Sequence, residues 1–387
     1  MEIRSLDLAD LDAIIDVRFR SFGQIPRTGI PGWKAIAEQD ARQFVTAYEG
    51  RRVLAVARYH RFEQYWLGRS VPMAGVAGVA VAPEERGRGL GKVLMTAMLE
   101  KVAADGFPLS ALYPVTTPLY RGLGWEVAGA QPRVRIPTES LRTIEAPAVK
   151  LRRAGPDDLP EIREMVRRLH LANRDCGPLL YPEHVWRHWM AEDPPFAYLA
   201  DDGYLEYRWD GREGIVVEYA GALSEQTTRA FWALVGSSSS IARTVRVNLG
   251  PADPVRWLTR EIAVESEPSA QWMLRLVDAR AAVAGRGFPL GLDADALIAM
   301  EDPQLPANTG TWRLRVRDGA GSLTPVTGPD ASRGDPMRIG ANGLAALYAG
   351  APLSSLRRAG LASGGAEDTD AVLDAAFACQ PYCLDYF

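Results

Sequence analysis

Cysteine is scarce in this chain, three among 387 residues, and Cys379 and Cys383, four apart, have no second pair to match. A disulfide framework and a four-ligand structural zinc site are both excluded on that count. Long apolar runs are missing as well. The stretch from Val71 to Ala82 is interrupted by Pro and Gly and falls short of the roughly 20 residues a membrane helix requires. The opening MEIRSLDLADLD is acidic and amphipathic, without an apolar stretch of signal-peptide length. A reduced, cytoplasmic protein with no membrane segment is expected. Neither charge dominates: 44 Lys and Arg against 48 Asp and Glu leave a net charge of -4. Mixed in this way, the charges form no broad cationic face for nucleic acid. His184 and His188 are four apart on a helical stretch, but no His-Glu-x-x-His pattern occurs there, and Trp186 and Trp189 point to packing rather than metal.

At 387 residues the chain exceeds one ordinary core, and three divisions are expected, at 1–145, 146–270 and 271–387. The first opens with Ile3-Arg4 as a strand and then Leu11, Ile14 and Val17 at helical spacing. Leu151-Arg152, followed by Leu159 and Ile162, repeats that opening. Strands follow at 44–48, 52–59 and 73–81, then a helix at 89–104. The second copy offers strands at 197–200, 203–209, 214–220 and 244–249, with no glycine-rich turn after any of them. The last part reads as mixed α/β. It has a helix over 277–285, a strand over 311–317 ending in an Asp-Gly turn, a loop-rich hairpin region over 319–335, and helices at 343–349 and 369–378.

Two segments carry chemistry. Val79-Ala80-Val81-Ala82-Pro83 ends a strand, and Arg86-Gly87-Arg88-Gly89-Leu90-Gly91-Lys92 opens a helix. Glycines there let backbone amides approach a ligand closely, and the helix N-terminus favours a pyrophosphate. Alone, a Gly-x-Gly-x-Gly turn is also an ordinary strand-to-helix connection. The second segment runs Leu112-Tyr113-Pro114-Val115-Thr116-Thr117-Pro118-Leu119-Tyr120-Arg121-Gly122-Leu123-Gly124-Trp125. A phenol with a reference pKa near 10 keeps its proton at neutral pH and can give it to a departing thiolate. A half-buried structural tyrosine is the plain alternative for Tyr120, and Tyr113 is its nearest competitor.

Together these segments resemble the acetyl-CoA motifs of the GNAT superfamily. The whole plan, α/β (α+β) with a GNAT fold, a degenerate second GNAT fold and a sterol-carrier-protein-like domain, resembles the enhanced intracellular survival (Eis-like) family of aminoglycoside acetyltransferases. The resemblance implies that Val79, Ala80 and Val81 hold the pantetheine arm and acyl carbonyl of acetyl-CoA. It implies that Arg86 to Lys92 hold the pyrophosphate, and that Val115 and Thr116 also contact the co-substrate. Tyr120 would be the general acid. The C-terminal carboxylate, here that of Phe387, would be the general base, since no Glu or His of the first division is evidently placed for it. Phe22, Trp33, Asp385 and Tyr386 would line an acceptor pocket for a polyamine, without a metal, in a homo-hexamer. A protein-lysine or natural-amine acetyltransferase, or a non-catalytic acyl-CoA- or lipid-binding protein, remains open at this point.

Overall fold

The computed structural model describes residues 1–23, 29–211, 213–327, 335–365 and 367–387; part of the expected hairpin region, 328–334, lies outside them. The first third comprises β1 (Glu2–Arg4), α1 (Leu11–Phe22), α2 (Ile30–Gln39), β2 (Phe44–Glu49), β3 (Arg52–Trp66), β4 (Arg69–Val81), α3 (Leu90–Ala104), β5 (Leu109–Leu112), α4 (Thr117–Arg121), β6 (Glu126–Gln131), β7 (Arg133–Pro137) and α5 (Thr138–Arg142). Next come β8 (Arg152–Ala154), α6 (Leu159–Ala172), β9 (Cys176–Leu180), α7 (Glu183–Glu192), β10 (Phe196–Ala200), β11 (Gly203–Asp210), β12 (Gly214–Ala222), α8 (Glu225–Gly236), β13 (Thr244–Asn248), α9 (Val255–Leu258) and β14 (Glu265–Ser266). The remainder is β15 (Ala270–Leu276), α10 (Ala279–Gly285), β16 (Ala294–Glu301), β17 (Gly310–Arg317), β18 (Ala320–Pro325), β19 (Met337–Gly340), α11 (Ala341–Tyr348), α12 (Leu353–Arg358), β20 (Ala362–Gly364) and α13 (Glu367–Phe377).

Among the described residues the strands form three sheets, ordered β1-β2-β3-β4-β5-β15-β6 with β9 on β3, β14-β7-β13-β12-β11-β10-β8, and β18-β17-β16-β19-β20. The sheets do not respect the divisions expected at 145/146 and 270/271. β7 pairs with β13 and β14 in the second sheet, while β9 and β15 belong to the first. The reason is hydrogen bonding: β5 and β6 each expose a row of backbone N–H and C=O groups, and β15 satisfies both rows at once. β3 also runs seven residues past the expected Tyr59, to Trp66, because Phe62, Tyr65 and Trp66 are buried at 2, 0 and 0% exposure. The Asp-Gly turn after β17 has positive φ at both Asp318 (52°) and Gly319 (72°). That twist matches the strands it joins, so Ala320–Pro325 returns as the second strand of the expected hairpin.

The third sheet's layer is bolted to the first by a buried ion pair. Arg275 Nη2 meets both carboxylate oxygens of Asp302 at 2.6 and 2.7 Å, and the side chains are 1 and 3% exposed. Asp302 also accepts from Asn308 Nδ2 and from the Leu305 amide. Asp302→Ala leaves a buried guanidinium without its partner and is expected to destabilise the protein by about 3–5 kcal/mol, read as a lowered denaturation midpoint in urea. Among the described residues no helix is long and apolar enough to cross a membrane.

Candidate active site

β4 and β5 run parallel but pair only at Met73 with Leu109, Ala74 with Ser110 and Gly75 with Ala111. β4 then continues to Val81 against β3 alone, while β5 stops at Leu112. The sheet therefore splits at Gly75, and residues 76–81 face the gap with no strand partner on that side, although the Val81 carbonyl accepts from Ser21 Oγ at 3.2 Å. Midway along that edge the register slips: Gly78, at φ +60°, and Val79 together oppose Ala57. Val79 and Val81 are half-buried, and Ala80 is 1% exposed.

At the end of β4, residues Arg86 to Gly89 form an exposed turn that enters α3, with φ of +80° at Gly87 and +76° at Gly89. Gly89 is the left-handed N-cap of the 15-residue α3. No atom lies within 4 Å of a β-carbon built at either glycine, so the backbone conformation rather than crowding calls for glycine here. The amides of Leu90 and Gly91, at the first turn of α3, have no backbone partner among the described residues, whereas that of Lys92 donates to the Gly89 carbonyl at 3.0 Å; free amides at a helix N-terminus suit an anion. Arg86 and Lys92 make no ion pair among the described residues, whereas Arg88 is tied to the buried Glu85, which also takes Arg52 at 2.6 Å. On the other side of the split, Val115 is 80% exposed and Thr116 is the N-cap of α4.

Tyr120, on the last turn of α4, is 5% exposed and packs with Leu94, Leu123 and Trp125. Its hydroxyl has no hydrogen-bond partner among the described residues, and burial, with a smaller contribution from Tyr386, pushes its pKa up to about 12. The turn after it is held from the rest of the fold. Asn342 Nδ2 donates to the carbonyls of Arg121 and Trp125 at 3.1 and 2.9 Å, and Arg275 Nε donates to that of Leu123 at 3.1 Å. The third layer thus fixes the tyrosine's position. Tyr113, the competitor, spends its hydroxyl on the Asp385 carbonyl at 2.7 Å.

The chain's last residues thread between the first two sheets. The Tyr382 amide donates to Cys176 and the Cys383 amide to Ala130, while the Leu384 carbonyl accepts from Gln131 Nε2 (3.0 Å) and Asn248 Nδ2 (2.7 Å). Tyr386 stacks on Tyr113 at 4.3 Å between centroids, and the Phe387 ring lies 5.3 Å from Tyr113 and 5.1 Å from Phe62. A β-carbon at Gly75 would come within 3.0 Å of Phe387 and collide with Phe62. Glycine at the split is what lets the terminal residue lie on it.

The face of β3 beside this terminus is cationic. Ala57 and Tyr59 turn toward α3, so Arg58, His60 and Phe62 share the opposite face, facing Ala77, Gly75 and Met73 of β4. Arg58 is 9% exposed, with Nε and Nη1 unpartnered; Arg18 Nε and His60 Nδ1 are unpartnered too. Burial, then the charge of Arg18, lowers the Arg58 pKa to about 9. Burial, then Arg58 and Arg18, hold His60 well below its usual range, so its ring is neutral at pH 7. Trp33 lies against the two guanidiniums, 5.3 Å from Arg18 and 5.8 Å from Arg58.

Comparison with known proteins decides the family. Acetyltransferase (GNAT) domain models match residues 2–128 and 177–276, and a sterol carrier protein domain model matches 279–384. A crystal structure of a GCN5-related N-acetyltransferase from Kribbella flavida is 43% identical, with 100% of this chain and 98% of that one covered at a TM-score of 0.94. The chain belongs to the GCN5-related N-acetyltransferases. It is Eis-like within them: N-acetyltransferase Eis of Mycobacterium tuberculosis is 26% identical over 84% of this chain and 83% of its own. Eis1 from Mycobacterium abscessus shares the fold at a TM-score of 0.78 and 24% identity, over 100% of both chains. The protein is therefore an acyltransferase of the GNAT type, and that fold implies acetyl-CoA as co-substrate. The split strand, the open glycine turn and the exposed Val115 fit such a ligand.

In this Eis-like acetyltransferase the four expected acceptor-lining residues have different surroundings. Trp33 is packed among core side chains beneath Arg18 and Arg58. Phe22, at the end of α1, is 52% exposed, and Tyr386 is 62% exposed. Burial, then Glu218 and Glu206, push the Asp385 carboxyl up to about 7. The unfolded chain loses that proton near pH 4, so between about pH 4 and 7 the folded state binds more protons and stability falls as pH rises. Asp385→Asn should flatten the decline in Tm between pH 5 and 7.5. Arg18, Arg58 and His60 were not foreseen; the signal was Arg58 and His60, two apart and so on one face, directly after the apolar run 53–57. Among the described residues no group of three His, Cys, Asp or Glu is placed to hold an ion. His184 pairs instead with Asp40 at 3.1 Å. A separate cavity of about 400 Å³ lies at the corresponding split of β12 and β13, lined by Tyr219, Trp232, Asn248 and the tail residues Tyr382 and Leu384. The second fold's cleft thus guides the C-terminal tail.

Proposed function

We propose that the protein transfers an acetyl group from acetyl-CoA directly to an amine, with the Tyr120 hydroxyl giving a proton to the leaving sulfur. Val79 to Val81 align the thioester along the bare edge of β4, and the turn from Arg86 to Lys92 takes the pyrophosphate. The α-carboxylate of Phe387, directly or through a water, accepts the proton that the attacking amine must lose. Three features support this reading: the edge of β4 left without a strand partner beyond Gly75, the unengaged hydroxyl of the buried Tyr120, which senses Tyr386 of the tail, and the Phe387 ring lying over Gly75. A phenol held at about pKa 12 is protonated throughout the working range and donates without needing a metal.

The family resemblance favours a polyamine acceptor of aminoglycoside type, handled by a homo-hexamer. Release of CoA thiol by the native-terminus protein, measured with kanamycin and with a lysine-rich peptide, tests this. Release with kanamycin supports the polyamine reading. Release with the peptide alone reassigns the acceptor to protein lysines, and tight acetyl-CoA binding with neither released counts against both acceptors. Light scattering at the corresponding mass of six chains checks the assembly.

A further inference from the structure

Arg286, the residue that ends α10, carries a charge that no acid answers. It is 0% exposed, and among the described residues no carboxylate reaches it. Its guanidinium lies over the rings of Tyr348, Phe288, Phe377 and Trp66, at 4.4 to 5.5 Å. It donates to the carbonyls of Gly287 and Tyr348 at 3.1 and 2.5 Å. A guanidinium keeps its proton in proteins, and a charge taken out of water calls for an opposite one. The third hydrogen-bonding partner of Arg286 is sulfur: Nη2 meets Cys379 Sγ at 4.0 Å. As a thiol, Cys379 donates to the Tyr348 carbonyl at a long 3.9 Å, an acceptor that Arg286 already occupies. As a thiolate, it accepts from Arg286 and completes a charge-assisted pair.

A second sulfur stands beside it. Cys176, the first residue of β9, and the half-buried Cys379 both line the cavity of about 400 Å³ at the split of β12 and β13. Their segments are docked there, the Tyr382 amide donating to the Cys176 carbonyl at 2.9 Å. The contact with Cys176, then the charge of Arg286, draws the Cys379 thiol below its usual range against the effect of burial. The same contact, then burial, raises Cys176. Tyr348, the other titratable group bearing on the pair, spends its hydroxyl on the Ala282 carbonyl at 3.2 Å. One sulfur is thus disposed to be anionic and its neighbour to be protonated, on the wall of a cavity that admits a small oxidant. We propose that Cys379 is an oxidation site: a hydroperoxide oxidises its sulfur, and Cys176 resolves the product as a disulfide. The Cys379 thiolate attacks hydrogen peroxide, an S–O bond forms, the O–O bond breaks, and the departing hydroxide takes a proton from solvent. Cys176 then attacks the sulfenic sulfur; an S–S bond forms, the S–O bond breaks, and the second hydroxide leaves with the Cys176 proton as water. Two thiols give up two electrons, and the peroxide becomes two waters. The cross-link ties β9 to the root of the tail, eight residues before Phe387, and takes from Arg286 its counter-charge.

The test is mass spectrometry of the full-length protein, treated with a few equivalents of hydrogen peroxide at pH 7 and digested without reductant. The peptide containing Cys176 should be joined to the one containing Cys379. In Cys176→Ser the first step stands alone, and dimedone should label Cys379. Alkylation of the reduced protein by iodoacetamide reads the thiolate directly. A thiol with a pKa near 8.5 reacts about eightfold faster at pH 8 than at pH 7, whereas Cys379 should change by less than about threefold. Arg286→Met should restore the steep dependence, and Arg286→Lys, which keeps the charge, should not. The wild-type measurements decide even where an Arg286 variant does not fold. A steep dependence at Cys379, or a link from Cys379 to Cys383 in place of Cys176, overturns the proposal. So does peroxide treatment that gives neither the link nor the dimedone adduct. A shallow dependence that persists in a folded Arg286→Met overturns the part assigned to the guanidinium.

Discussion

Tyr120→Phe is expected to lower kcat about a hundredfold or more while leaving the Kd for acetyl-CoA nearly unchanged. The ring is 5% exposed and packs against Leu94, Leu123 and Trp125, and phenylalanine preserves all of that packing. What the substitution removes is a hydroxyl with no protein partner, whose contribution is made only as negative charge develops on the leaving sulfur. Tyr113→Phe is the matched control: its hydroxyl is spent on the Asp385 carbonyl, so its loss should loosen the tail and act through the terminus. Single-turnover measurement of thiol release separates the chemical step from product release. Full turnover in Tyr120→Phe would remove that residue from the mechanism.

Extending the chain beyond Phe387, as an ordinary C-terminal tag does, is expected to have an effect of similar size, about a hundredfold in kcat, with Tm little changed. The tail is anchored upstream through Tyr382, Cys383 and Leu384, so added residues displace the carboxylate without undocking the layers. An α-carboxylate has a reference pKa of about 3.3–3.7 and becomes a useful base where desolvation raises that value or a water relays the proton. His60 is the rival. It faces Gly75 at the split, its Nδ1 is free and its ring is neutral, yet the burial and neighbouring arginines that keep it neutral also make it a weak base. A tagged enzyme with full activity, together with a collapse in His60→Gln, would transfer the role to His60.

The sequence by itself determined the local chemistry. The apolar spacing of Leu90, Leu94 and Met98 made α3, the positive φ required at Gly87 and Gly89 placed a phosphate turn before it, and Asp318-Gly319 made a hairpin turn. These are short-range matters, decided by backbone sterics and by the period of burial over a few residues. The threefold plan was legible for the same reason, through motifs that each lie within one segment. Which strands close which sheet was not, because β15 fills the edges of β5 and β6 from more than a hundred residues away. The resemblance named Tyr120 over Tyr113, but that the returning tail occupies the Tyr113 hydroxyl was not legible. The charge of the β3 face beside the terminus was hidden most completely. Arg18 on a helix, Arg58 and His60 on a strand and Phe387 at the terminus are unremarkable apart. Only the register of β3 against β4 and the docking of α1 bring them onto one buried surface, where removal from water turns ordinary side chains into unsatisfied donors.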